Sequence, residues 1–438
     1  MTTVTSDARE LLAGPTGPSR LMTCFGQGGR AMTLAEHRST YPAPHSGHAR
    51  PNHAIIDAVD EAGLRGRGGG GFPTGRKMRA VLAAKGRAIV LVNGSEGEPA
   101  SRKDKLLMQR APHLVLDGAL LAARAVGADV VHLGIERSEP AVIAAIQHAI
   151  DERIAAHEHM VPMHVDAVPP RYVAGEESAL VHFVNGGEAK PTSVPPRPFE
   201  RGIANRPTLV DNVETLAHVA QIWRWGPAWF RELGLADEPG TILVTTSGAL
   251  KQNGISEVPI DIDLAKLVRA FGGVTAPISA VLVGGYYGTW LGPDQLHGAR
   301  LSNTYLKPIG ASVGCGALMF MAQGCGICET ARVLGWMASE TAGQCGPCVH
   351  GLAALAGAFR ALARGEASAD TIADIERWGG QIMGRGACSF PDGAVRLARS
   401  ALRAFAHDVR VHLTSGPCAD AHRPALLHIP HVDQTVWR

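Results

Sequence analysis

The 438-residue chain predicts an α/β protein in three parts: an α/β sandwich, a small β-grasp-like module and a C-terminal helical bundle. Three observations predict it. Between residues 51 and 235, short apolar runs of strand character alternate with segments of helical period. From Thr241 to about Leu291 the runs become short β segments split by a single helix, and from about 324 onward only helical periods remain. The expected boundaries are a leader over 1–50, the sandwich over 51–235, the β module over 236–300, the helical domain over 324–412 and a tail over 413–438.

The leader has scattered Gly, Pro and His with weak periodicity, and Cys24 within it reads as a lone thiol. Ile55 to Gly63 reads as a short helix with a glycine C-cap, since Ile56, Val59 and Leu64 fall on one face. Ala88–Val92 is an unbroken apolar run, hence a buried strand, and it ends at Asn93-Gly-Ser-Glu-Gly-Glu-Pro99. Leu106–Val126 has the period of one long helix that tolerates Pro112 near its start. Asp129–Ile135 and Met163–Val168 read as strands around a helix at Ala141–Ile154, and Tyr172–Leu180 enters a further helix. After the Pro-rich stretch 187–207, Thr208–Leu216 leads into a helix reaching Trp223. In the β module, Thr241–Thr246, Glu257–Ile262 and Val281–Val283 are strands and Asp263–Phe271 is the helix. Cys328–Met337, Leu352–Arg364, Ala369–Met383 and Val395–Leu413 form the expected bundle, followed by a loosely ordered tail after Ser415.

Composition narrows the function. At 45% hydrophobic, 19% charged and net charge +2, the chain has a real core and no footprint for nucleic acid. No apolar run is long enough to span a bilayer and no secretory h-region stands out, so a cytoplasmic protein that is not integral to a membrane is expected. Six of the eight cysteines lie between Cys315 and Cys388, a clustering typical of metal binding in a reducing compartment.

The stretch Gly63-Leu-Arg-Gly-Arg-Gly-Gly-Gly-Gly-Phe-Pro-Thr-Gly-Arg-Lys77 carries the strongest chemical signal. Seven glycines there free the backbone and remove the Cβ atoms that would hold a ligand away, while Arg67 and Lys77 add positive charge. A phosphate-bearing ligand is the expected occupant. Gly66, Gly68 and Gly71 satisfy the dinucleotide spacing G-x-G-x-x-G, but here the strand follows the glycines instead of preceding them, which excludes a Rossmann turn. The acidic loops at Glu96/Glu98 and Glu176/Glu177 have two readings, facing the same cradle or, as acidic loops more often do, being solvated or capping a helix.

Two C-x-x-C pairs, Cys325/Cys328 and Cys345/Cys348, are separated by sixteen residues, a zinc-site spacing. A helix between Cys328 and Glu340 would hold its ends roughly 18 Å apart at about 1.5 Å per residue, too far for one ion. Alternatively, Cys345, Cys348 and Cys388 converge on an iron–sulfur cluster. Cys315 and Cys418 read as separate buried thiols.

Taken together, these residues resemble the NADH-oxidising 51 kDa flavoprotein family of respiratory complex I, with relatives in NAD-linked hydrogenases and formate dehydrogenases. The likeness covers about residues 50–412. It is carried by Gly63 to Gly75, by Glu98-Pro99 with Lys103-Asp104, by Gly175-Glu-Glu177 with Ala179-Leu180, and by Pro207-Thr208 with Asn212-Val-Glu-Thr-Leu216. The resemblance implies FMN and NADH in one cavity, a β-grasp (SLBB-like) domain and a helical domain with a four-iron cluster. By position it implies that Gly66, Arg67, Gly68, Gly69, Lys77, Asn93, Glu96, Tyr172, Gly175, Glu176 and Asn212 line the FMN. Phe72, Glu98 and Glu177 would lie on the NADH side.

The chain also departs from the family. Its cluster loop reads Glu340-Thr-Ala-Gly-Gln-Cys-Gly-Pro-Cys348, with Ala342 where the first thiolate is expected. The three remaining cysteines suit a three-iron cluster, a cubane completed by a residue such as His350, or no cluster. In the nucleotide stretch Val194-Pro-Pro-Arg-Pro198, Val194 and Arg197 replace the family's Lys and Phe, and Ala80 replaces an aromatic residue. Ser95 stands for an acid and Asp211 for an Asn. The implied activity is hydride transfer from NADH to FMN and then single electrons to the cluster. The alternative is an electron-transfer flavoprotein that does not use NADH and exchanges with a ferredoxin-like partner. The implied partners are NADH or a redox protein such as a ferredoxin or a two-iron thioredoxin-like subunit.

Overall fold

A computed structural model describes residues 19–26, 30–41, 52–158, 160–432 and 436–438. The remaining positions of the expected leader, and residues 433–435 of the tail, lie outside the described residues.

Four parallel strands form the first sheet: β1 (Ala88–Gly94), β2 (Ala128–Glu136), β3 (Met163–Val168) and β4 (Thr208–Asn212), in the order β3-β2-β1-β4. The central position of β1 explains its apolar run. Val90 and Val92 enter the core on one face, Ile89 and Leu91 the core on the other, and none is solvated. Helices Asn52–Ala62, Pro112–Val126 and Val213–Trp225 cover the first face. The short strand β4, which the sequence presents only as a lead into a helix, supplies the fourth position.

The single helix expected over Leu106–Val126 is two, Lys103–Arg110 and Pro112–Val126. Ala111, at φ −134° and ψ 51°, breaks them because the residue before a proline is forced out of the helical region and Pro112 then starts the second helix. Likewise Val395–Leu413 is interrupted at Phe405, giving Phe390–Ala404 and Ala406–Thr414.

The second sheet is built from β5 (Thr241–Gly248), β6 (Gly254–Pro259), β8 (Ala280–Val283), β9 (Thr289–Leu291) and β11 (Ala317–Met321), and a two-stranded pair joins β7 (Ile262–Asp263) to β10 (Arg300–Leu301). The order is β6-β5-β11-β8-β9, with β11 parallel to β5 and antiparallel to β8. Its central strand thus comes from residues beyond 300. The expected strand Glu257–Ile262 is split: β6 ends at Pro259 and Asp261 turns the chain with φ 72° before β7.

Helices Gly326–Ser339, Ala353–Ala363, Ala369–Ile382 and Phe390–Ala404 pack around one apolar core. The tail does not hang loose. Leu427 and Trp437 are buried, the His428 carbonyl accepts from Tyr286 Oη at 2.6 Å, and the Trp437 carbonyl accepts from Ala189 N at 2.7 Å.

Candidate functional site

In an open parallel sheet, ligands gather at the carboxyl ends of the strands. Here Asn93, at the end of β1, is the register partner of Asn212, at the end of β4. The glycine loop lies against that edge. The loop is closed by an Arg65–Pro73 bridge and by Gly66 N donating to Phe72 O at 2.9 Å. Gly68 packs on Asn212 so tightly that an added Cβ would sit 3.1 Å from the asparagine Cβ, whereas Gly70 and Gly71 face open space. Gly69 sits beside the Gly314–Cys315 backbone.

Asn212 caps the helix Val213–Trp225 through Glu214 N and donates Nδ2–H to Asp104 at 2.7 Å. Beneath it lies an ionic network. The buried Lys103 Nζ is 2.7 Å from both Asp104 and Glu214, and Glu214 accepts from Leu243 N. Burial alone would raise the Glu214 pKa, but Lys103 and His218 hold it at about 2. Lys103 and Asp104 are part of the quoted motif. Their work as the floor beneath Asn212, and the part of Glu214, carry no sequence signal beyond it.

The remaining candidates divide into three groups. Asn93 donates to Gly175 O at 2.8 Å, so the Tyr172–Gly175 turn is fixed against β1. Lys77 Nζ donates to Val210 O at 2.6 Å and lies 3.5 Å from Glu177 and 3.9 Å from Asp211; Arg197 reaches Glu177 at 3.8 Å. Phe72 is half exposed at the rim, with Arg76 over its ring.

Three side chains turn away from the cradle. The Arg67 guanidinium is buried and donates to the carbonyls of Thr241, Pro239 and Arg65, so its charge ties the loop to β5. Burial lowers its pKa to about 10. Glu96 caps the helix Lys103–Arg110, accepting from Asp104 N, Lys105 N and Ser101 Oγ. Glu176 caps the helix Glu177–Val184 in the same way. The spacing of an acidic loop cannot separate a cap from a ligand contact, because both need a carboxylate before a helix.

Glu98 crosses between domains. Its carboxylate accepts from Tyr286 N at 3.0 Å and Ala100 N at 3.1 Å, and Gly285 leaves the room for it. Burial raises its pKa to about 7. Tyr172 Oη approaches the same carboxylate at 3.5 Å, and its ring lies 5.1 Å from Phe390 and 5.5 Å from Trp336. Tyr172 therefore spans from the strand ends to the helical domain. Two residues before Phe390 stands Cys388.

Cys345, Cys348 and Cys388 pack with Ala342 against the helical core, and the other two thiols act electrostatically on Cys348. Cys348 is buried and hydrogen-bonds both Cys345 and Thr341, and burial raises its pKa to about 12. The Arg171 side chain and the Tyr172 N–H donate to Glu340 at 3.1 and 2.9 Å, latching this loop to the strand-end turn. Gly326–Ser339 is helical throughout, so Cys325 and Cys328 are kept from this group.

The residues fit both implied cofactors. Ser95 Oγ and Asp211 Oδ2 are buried near the strand ends with no hydrogen-bond partner, so polar groups there await a partner. A Cβ at Gly70 or Gly71 would meet nothing within 4 Å, so the loop's backbone is open to a ligand there. Three thiols, two following Glu340 and one just before the helix Phe390–Ala404, are the donor type of an iron–sulfur cluster short of one ligand.

Known proteins share this arrangement. Residues 59–221 match the family described as the Nuo51 FMN-binding domain, and residues 328–412 match the NADH-ubiquinone oxidoreductase-F iron-sulfur binding region. The F 2 subunit of the Rhizobium meliloti NADH-quinone oxidoreductase is 32% identical over 383 residues, covering 83% of this chain and 90% of that protein. The F subunit of the Mycobacterium tuberculosis NADH-quinone oxidoreductase is 30% identical over 410 residues, 90% of this chain and 92% of its own length. A solved NAD+-reducing [NiFe]-hydrogenase in the air-oxidized state superposes with a TM-score of 0.81 at 30% identity, over 91% of this chain and 68% of the hydrogenase chain.

Proposed function

The chain belongs to the family of NADH-quinone oxidoreductase F subunits, and from that premise we propose how its own residues serve the reaction. It is an NADH dehydrogenase flavoprotein of the complex I type, with FMN-binding and iron–sulfur-binding regions, and the matches favour this over a flavoprotein that does not use NADH. When bound, FMN accepts a hydride from NADH and gives up electrons singly to an iron–sulfur cluster.

One observation carries the assignment of residues: the glycine loop meets the paired ends of β1 and β4 at Gly68 and Asn212, leaving Gly70 and Gly71 facing open space. With Gly66 N taken by Phe72 O and Arg67 N by Thr215 Oγ1, the backbone of Gly68 and Gly69 would hold the flavin phosphate, and Asn93, Gly175 and Asn212 would set the ring against the strand ends. Lys77, bridging Val210 O and Glu177, would supply the positive charge that Arg67 directs elsewhere. Phe72 at the rim, Glu177 and the facing Arg197 support a nicotinamide nucleotide entering from that side. Glu98 is placed to hold or release a proton near neutral pH. Tyr172, with Phe390 beyond it, is the packed route toward Cys388.

Cys345, Cys348 and Cys388 would hold the cluster, with Ala342 leaving a corner for another ligand. The mixed five-stranded sheet, with the helix Leu264–Ala270 packed on its core, supports a β-grasp module, and a two-iron thioredoxin-like subunit or ferredoxin is the expected electron partner. Among the described residues no helix is long and apolar enough to cross a membrane.

Anaerobic titration tests this. NADH is expected to bleach the flavin absorption of FMN-loaded protein stoichiometrically. Bleaching by dithionite alone would remove NADH as the donor, and failure to bind FMN would remove the cradle.

A further inference from the structure

Away from the flavin and from the Cys345 loop, the helical domain assembles a second group of metal-type donors. Cys325 is the N-cap of the helix Gly326–Ser339, His412 lies in Ala406–Thr414, and Cys418 follows in the turn beyond it. Their ligand atoms all lie within 4.8 Å of one another, and among the described residues this is the only such group of three or more His, Cys, Asp or Glu. Cys325 and His412 are buried, and Cys418 is half-buried.

The histidine is set for coordination. Its Nδ1–H donates to the Leu362 carbonyl at 2.9 Å, which fixes the tautomer and leaves the Nε2 lone pair facing the sulfurs. Nε2 is 3.4 Å from Cys325 Sγ. Zinc–sulfur and zinc–nitrogen bonds of about 2.3 and 2.0–2.1 Å at a tetrahedral angle give a sulfur–nitrogen edge of roughly 3.5 Å. Nε2 also accepts from Cys418 N at 3.2 Å, a bond that an ion would replace.

A fourth donor is at hand. Cys328, in the first turn of the helix, is buried; its N–H donates to Cys325 Sγ at 3.4 Å and its thiol faces the Ala363 carbonyl at 4.0 Å. Its sulfur stands outside the 4.8 Å group and would have to turn toward it to complete the set.

We propose that Cys325, Cys328, His412 and Cys418 form a tetrahedral zinc site, structural in role and separate from the iron–sulfur loop. Three thiolates and one imidazole, with no carboxylate among them, are a soft closed set that selects zinc. The Cys325/Cys328 pair binds with a partner more than eighty residues later, not with Cys345/Cys348. The ion pins the start of the tail to the first helix of the domain.

The test uses the full chain, purified anaerobically without chelator. One zinc per chain is expected in addition to any iron, with a sulfur-rich, nitrogen-containing first shell by X-ray absorption. Cobalt loaded in its place should show thiolate-to-metal charge-transfer absorption, reduced by about a third in Cys418→Ser, which lies outside every helix of the bundle. His412→Ala should weaken zinc binding at least tenfold. Cys345→Ser should change iron and leave zinc unchanged, which separates this site from the proposed cluster. Absence of zinc and of cobalt binding in the wild-type chain would overturn the proposal. So would full zinc retention in Cys418→Ser and His412→Ala, or a Cys325–Cys418 disulfide in anaerobically prepared protein.

Discussion

At the strand ends of the parallel sheet, the surface offered to a ligand is mostly main chain: the glycine loop, the Gly175 turn and the termini of β1 and β4. The thiol loop of the helical domain instead offers side chains, the sulfurs of Cys345 and Cys348, with Cys388 packed on the same core. This difference shows how each region bears substitution. Ser95 and Asp211 stand where other residues are expected, yet the glycine loop still meets Asn212. At Ala342, where the family resemblance implies a thiolate, the side chain offers no ligand atom. Backbone-built sites depend on shape, and thiolate sites on identity.

Four substitutions would break or sharpen this contrast. The largest effect is expected beneath the pocket. Lys103→Met strands Asp104 and Glu214 as buried charges, which should cost about 3–5 kcal/mol by denaturant unfolding and weaken FMN binding through Asn212. An unchanged stability would show that the floor is not ionic. Next, Gly68→Val drives a side chain into Asn212 and should lower FMN affinity at least 100-fold, about 2.7 kcal/mol, with little change in far-UV dichroism. Normal FMN binding would mean that the cradle lies elsewhere.

A smaller effect concerns protonation. Folded Glu98 keeps its proton to about pH 7, against an ordinary value of 4.5. The native state therefore binds more protons than the unfolded chain between these values. The stability contributed is full below the ordinary value and is lost as pH rises through 7. Between pH 5.5 and 8 this amounts to roughly 2 kcal/mol, and Glu98→Gln should flatten that part of the apoprotein's pH–stability curve. A curve of the same slope in the variant would place the proton on another group. Least costly in energy is Ala342→Cys, which should raise iron by about one atom per chain and convert a three-iron EPR signal, if present, to that of a reduced four-iron cluster. No gain in iron would separate Ala342 from the ligand set.

Some of this was legible in the sequence and some was not, for physical reasons. The apolar run at β1 and the glycine loop are local signals, and each stands where its residues predict. Pro112 and Phe405 break helices whose apolar period continues across the break, so periodicity alone overruns them. Strand β11 is invisible as a member of the second sheet because its neighbours, β5 and β8, come from earlier in the chain. The same limit applies to the sites. An acidic residue before a helix reads alike whether it caps, as Glu96 and Glu176 do, or spans domains, as Glu98 does. Arg67 reads as cradle charge until its guanidinium is seen on three carbonyls. Cys418 reads as a lone thiol because its companions, Cys325 and His412, belong to two different helices.

Glu340 gives the molecule a property that neither cofactor region has alone. Its carboxylate is two residues from Ala342, yet it is held by Arg171 and by the main chain of Tyr172, in the turn that ends at Gly175. Movement of the thiol loop would therefore be transmitted to the Tyr172–Gly175 turn, the proposed edge of the flavin site. Such a mechanical tie obeys thermodynamic reciprocity: whatever factor an assembled cluster lends to flavin affinity, flavin must lend to cluster retention. Loss of iron on handling would then be felt as leakage of yellow colour, and added mononucleotide would protect the metal.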